Sequence, residues 1–84
     1  MDIKILEDKK ILEYLEKRSL LSQYKKVKKN LLDSENIYTK IKKRKPKADD
    51  IYQFKINKQY RAYCVFNKDD KNILIVFEIN NHQN

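Results

Sequence analysis

From Ile51 to His82 the chain reads IYQFKINKQYRAYCVFNKDDKNILIVFEINNH. Three runs of alternating apolar and polar residues lie here, separated by Asn57-Lys58-Gln59 and by Asn67-Lys68-Asp69-Asp70-Lys71-Asn72. Period-two alternation rich in β-branched and aromatic residues predicts half-buried strands over 51–57, 60–67 and 72–80. The first two make a tight hairpin and the last two a longer one. Side chains alternate across a strand, so parity sorts the faces. Phe54, Ile56, Tyr60, Ala62, Cys64, Phe66, Ile73, Ile75, Phe77 and Ile79 are assigned to one face, and Lys55, Arg61, Tyr63, Glu78 and His82 to the other. The chain contains no glycine, so Asn and Asp are expected to serve its turns.

A sheet with one apolar face needs a cover, and the residues upstream supply it. Ile11, Leu12 and Leu15 form a stripe at helical spacing, with Glu7 and Asp8 as acidic N-terminal residues and a stop near Arg18. Ser19 is the expected N-cap of a second helix. In that helix Leu20, Tyr24, Val27 and Leu31 make the stripe, with Leu21 and Leu32 beside it, while Lys25, Lys26, Lys28 and Lys29 lie largely off it. A membrane-surface helix has the same pattern, but the sheet that follows favours packing on its apolar face. Asp2 to Ile5 reads either as a short first strand or as a lead-in. Ile37, Thr39 and Ile41 alternate with Tyr38, Lys40 and Lys42, predicting a further strand that ends near Pro46, which has no N–H to donate. The expected fold is α+β: two N-terminal helices packed on an antiparallel sheet of about four strands, as one domain over 1–84.

The totals constrain function. Net charge is +8, and it is densest in the middle: residues 37–50 carry six bases against two acids. An anionic partner is implied, either nucleic acid or an acidic protein. The competing reading is a Lys-rich solvated surface, since seventeen of the twenty bases are Lys. The longest apolar run, Ile73 to Phe77, is too short for a membrane span, and MDIKILEDKK has no signal-peptide core. A cytoplasmic location is therefore expected. The single Cys64 falls on the inward face and reads as core, and there are too few Cys and His for a structural zinc site.

Two constellations bear on chemistry. Lys42, Lys43, Arg44, Lys45 and Lys47 cluster around Pro46, and such cations bind phosphates without sequence choice. Lys55 and Arg61 belong to neighbouring strands and fall on one face, the side expected to lie away from the helices. A guanidinium beside an ammonium suits a phosphoryl group whose charge rises in the transition state. His82 has the one side chain here that ordinarily titrates near neutrality. Tyr63 is either packing or a stacking platform for a base. Glu78 is a cross-strand partner for Lys55 or Arg61 in the structural reading.

Taken together, the helical hairpin, the basic segment, YQFKINKQYRAYCVF and ILIVFEINNHQ resemble the RelE/ParE superfamily of type II toxin–antitoxin toxins. The resemblance covers nearly the whole chain. Its sharpest parts are Lys55-x-x-x-x-Tyr60-Arg61 and an imidazole just after the last strand, His82. It implies a toxin that either cleaves mRNA in the ribosomal A site without metal or cofactor, as RelE-like members do, or poisons DNA gyrase, as ParE-like members do. For the nuclease, it implies that Arg61 and Lys55 stabilise the scissile phosphate and that His82 moves a proton, with Lys40 or Lys42 assisting. Lys40, Lys42, Lys43, Arg44, Lys45, Lys47 and Tyr63 are then the RNA-binding set. The partners implied are mRNA on the ribosome and a cognate acidic antitoxin, with which the chain forms a hetero-oligomer. Two departures stand out. An earlier strand lysine of the family appears as Gln53, and the tyrosine that several members carry beyond the last strand has no counterpart. A non-catalytic basic binding module is the remaining alternative.

Overall fold

The computed structural model describes residues 3–44 and 50–81. The chain forms β1 (Lys4–Glu7), α1 (Lys9–Lys17), α2 (Leu21–Asp33), a 3-10 turn (Ile37–Thr39), β2 (Lys42–Lys43), β3 (Tyr52–Lys55), β4 (Arg61–Phe66) and β5 (Ile73–Asn80). The fold is α+β, with two helices and one five-stranded sheet of order β1-β5-β4-β3-β2. The three later strands fall where alternation places them. The expected count of four antiparallel strands becomes five in a mixed sheet, because Lys4–Glu7 pairs parallel to β5.

Local chemistry accounts for the helix ends. Asp8 caps α1, its Oδ1 accepting from the Ile11 N–H at 3.0 Å. Glu7 does not belong to the helix. It ends β1 and accepts from the Tyr24 hydroxyl at 2.6 Å and from Lys28 Nζ at 3.0 Å, fastening β1 to α2. Burial, and then the Glu7 carboxylate, push the Tyr24 hydroxyl far above its ordinary pKa, so it stays a donor. Ser19 is not the N-cap of α2. It lies at φ 57°, just past the α1 C-cap Arg18. Its N–H donates to the Glu16 carbonyl and that of Leu20 to the Leu15 carbonyl, the paired bonds of a Schellman ending, while Leu15 and Leu20 are both buried.

The core is a single layer between helices and sheet. Ile11, Leu15, Leu20, Tyr24 and Leu31 pack down on Ile5, Phe54, Ala62, Cys64, Leu74 and Val76. Two expectations change here. Ile37–Thr39 is a 3-10 turn rather than strand, because Asn36 Oδ1 accepts from the Tyr38 N–H at 3.0 Å and winds the backbone tight. Ile37 and Ile41 still reach the core, four residues apart, while Thr39 is exposed. In β5 the inward residues are Leu74, Val76 and Ile79, not Ile73, Ile75 and Phe77. Tyr63 pairs with Glu78 but Cys64 pairs with Val76, so Phe77 is an extra residue and the facing switches there.

Candidate phosphate-binding groove

The β3–β4 hairpin is built by one side chain. Asn57 Oδ1 accepts from the N–H groups of Gln59 and Tyr60, both at 2.8 Å, and its amide donates to Gln23 Oε1 of α2 at 2.9 Å. The turn is closed by the Ile56 N–H on the Tyr60 carbonyl at 2.9 Å. That closure sets the register: Lys55 opposite Arg61, Phe54 opposite Ala62, Gln53 opposite Tyr63. Directly opposed residues share a face, with Cα atoms about 4.5–5.5 Å apart. Phe54 and Ala62 are buried under the helices, so Lys55 and Arg61 emerge on the other face.

β2 adds more charge to this side. Lys42 pairs with Gln53 and so shares the face of Lys55 and Arg61. Lys40, Lys42, Lys55 and Arg61 together line a groove of about 670 Å³. Its far wall is α2, through Val27, Asn30 and Leu31. The groove therefore joins cations from the face away from the helices with residues of α2 and Phe54 from the covered side. Among the described residues no acidic side chain lines it. Among the described residues the ion pairs are Lys28–Glu7 and Lys43–Asp50, so all four groove cations keep their charge uncompensated. The α2 wall was not anticipated from sequence. Its one trace there is Asn30, a small amide three residues after Val27 at the edge of the apolar stripe.

The remaining basic residues are placed differently. Lys43 pairs with Tyr52 and thus faces away from Lys42. Its Nζ is 2.7 Å from Asp50 Oδ1, which raises the Lys43 pKa and lowers that of Asp50. Arg44 closes the base of the loop through its N–H on the Ile51 carbonyl at 2.6 Å, and its guanidinium lies 5.1 Å from the centre of the Tyr63 ring. Tyr63 is only 7% exposed. With Arg44 over it, the ring packs in the sheet and offers no open surface for a base. Lys45, Lys47 and His82 lie outside the described residues. Glu78 makes no ion pair with Lys55 or Arg61 and accepts instead from Asn80 Nδ2 at 2.6 Å. Cys64 is fully buried, and burial pushes its thiol up to about 12, which removes it as a nucleophile at neutral pH.

Chemically, the groove is an array of three ammonium groups and one guanidinium. Such an array suits phosphate oxygens, through point charges from Lys and a two-pronged donor from Arg. Among the described residues no cluster of His, Cys, Asp and Glu could hold a metal ion, and no helix is long and apolar enough to cross a membrane. The chain matches no protein-family model and no curated protein sequence.

Proposed function

We propose that this protein is a RelE-like toxin that cleaves mRNA on the ribosome. The observation that carries the reading is the Lys55–Arg61 pair, opposed in register and joined by Lys40 and Lys42 in one groove without an acid among the described residues. In the proposed reaction a ribose 2′-oxygen passes its proton to the His82 imidazole or to water and attacks the adjacent phosphorus. The P–O5′ bond breaks, and the 5′-oxygen takes up a proton. The products are a 2′,3′-cyclic phosphate and a 5′-hydroxyl. Arg61 and Lys55 hold the non-bridging oxygens as negative charge builds on them. The nucleophile belongs to the substrate, so the protein's part is orientation, charge and proton handling, with the ribosome fixing the mRNA. A lysine of the groove protonates the leaving oxygen, or His82 does so from the chain end. An acidic antitoxin is the matching protein partner, neutralising the groove by laying carboxylates on it.

The second reading is a toxin or binding module that grips nucleic acid or blocks gyrase without cutting. One observation favours it: among the described residues that line the groove there is no imidazole, carboxyl or thiol. Expression in growing cells followed by primer extension on abundant mRNAs separates the two. Codon-phased cuts support the nuclease, and Arg61→Ala should reduce them about 10²–10³-fold while leaving the circular-dichroism spectrum unchanged. Intact mRNA accompanied by a DNA-damage response supports the gyrase reading. A folded Arg61→Ala protein that cuts like wild type removes the groove from the mechanism.

A further inference from the structure

A second cavity, of about 790 Å³, has Tyr38 in its lining. Val65 and Ile75 contribute to its floor, and Phe66, Tyr52 and Tyr38 form an aromatic wall. Tyr38 stacks on Phe66 with ring centres 5.2 Å apart and planes 30° from parallel, and Phe66 meets Tyr52 edge-on at 5.3 Å. Phe66 and Tyr52 are partly buried, but Tyr38 is 53% exposed. The ring is therefore stacked on Phe66 while about half of the residue's surface stays exposed. Its hydroxyl makes no hydrogen bond among the described residues, unlike the tightly bonded hydroxyl of Tyr24. Charge around it is mixed: Lys68 and Lys71 line the rim with Asp50, whose carboxylate is held by Lys43.

We propose that Tyr38 is a stacking platform for a nucleobase of single-stranded RNA whose backbone occupies the cationic groove. The inference rests on the reading of that groove as an RNA site. Chain geometry supports it. Lys40, in the groove, is two residues from Tyr38, so their Cα atoms lie at most about 7.6 Å apart. With backbone anchors this close, a strand held by its phosphates at Lys40 and Lys42 comes within reach of Tyr38 over a short run of nucleotides. A ring pre-stacked on Phe66 is already oriented, so little side-chain freedom is lost on binding. Stacking on an aromatic face is indifferent to base identity, which suits a site that must accept varied mRNA. Tyr63, the ring that sequence singles out for this role, is closed off by Arg44, whereas Tyr38 is open.

Binding of fluorescein-labelled eight-nucleotide RNA to the purified full chain, followed by anisotropy at low salt, tests the proposal. Tyr38→Ala and Tyr38→Leu should each weaken binding by about five- to 150-fold. Tyr38→Phe should stay within about twofold of wild type, because the stacking face is kept. Leucine preserves apolar packing against Phe66, so loss in that variant tracks stacking rather than folding. An abasic oligomer of the same charge should bind wild type and Tyr38→Leu equally. If base-bearing RNA binds wild type, weakens with Lys55→Ala/Arg61→Ala, yet ignores both Tyr38→Ala and Tyr38→Leu, the platform is overturned and the groove stands. If Tyr38→Leu weakens abasic and base-bearing RNA alike, the ring acts through structure and the platform is again overturned. If wild type binds neither RNA, the groove reading fails and the platform fails with it.

Discussion

Ser19 holds a backbone conformation that its Cβ disfavours, at φ 57°. It does so because the α1 ending needs a left-handed residue between Arg18 and Leu20, and the chain has no glycine to place there. Ser19 is exposed and its side chain makes no hydrogen bond among the described residues. Ser19→Gly should therefore stabilise the fold by about 0.5–1 kcal/mol, relief of strain exceeding the entropy glycine adds to the unfolded chain. An upward shift of the urea midpoint at constant slope would show it, and a downward shift would mean that the strain is already relaxed. The position also marks a limit of reading. Serine before an apolar helical stripe signals an N-cap, and only the bonds of Ser19 and Leu20 back to Glu16 and Leu15 reveal a C-terminal lock instead. Cys64 was legible, since a lone thiol on an apolar strand face has little to do but pack. Tyr63 was not: alternation gives the face of a ring, but not that Arg44 will cover it.

At the level of elements, the β3–β4 turn has most influence on the site. Asn57 replaces the positive-φ residue of a usual hairpin turn with two side-chain acceptances. Asn57→Ala removes both, together with the tie to Gln23, and should cost about 1–2 kcal/mol. Asn57→Asp keeps the acceptor bonds and should recover most of that. Faster hydrogen exchange at the Ile56 N–H in the alanine variant alone would show that the turn has loosened, and unchanged protection there would show that β-pairing needs no such clamp. β3, β4 and β5 were readable because apolar alternation is strong and the register of one pair, Lys55 with Arg61, follows from a short turn. The facing of β5 was not. One extra residue at Phe77 inverts parity, and a bulge leaves no compositional mark in a strand of Ile, Leu, Val and Phe. Ile37–Thr39 misreads for a related reason: buried residues four apart satisfy a strand parity and a helical turn equally, and the Asn36 cap decides between them. β1 is too short for periodicity, and its pairing with β5 comes from distant chain.

For the whole molecule, a charge of +8 says that an anion is attracted but not where it settles. Two strand residues in succession show how the fold divides an unbroken basic run. Lys42 enters the groove beside Gln53, Lys55 and Arg61, while Lys43 turns to Asp50 on the opposite face. Charge composition treats the two as equivalent, and the sheet does not. That difference becomes measurable through counterion release, which for single strands lowers log K by about 0.7 per neutralised phosphate for each decade of salt. The four groove cations then account for a slope of about −3, and Lys42→Ala, Lys55→Ala or Arg61→Ala should each reduce its magnitude by about 0.7. Lys43→Ala removes the same formal charge from a residue whose ammonium is already matched by Asp50, so it should leave the slope within error of wild type. Anisotropy titrations across a salt series give all five slopes. Equal losses for Lys42→Ala and Lys43→Ala would mean that RNA meets a diffuse basic surface, in which case the convergence of Lys40, Lys42, Lys55 and Arg61 would carry no function.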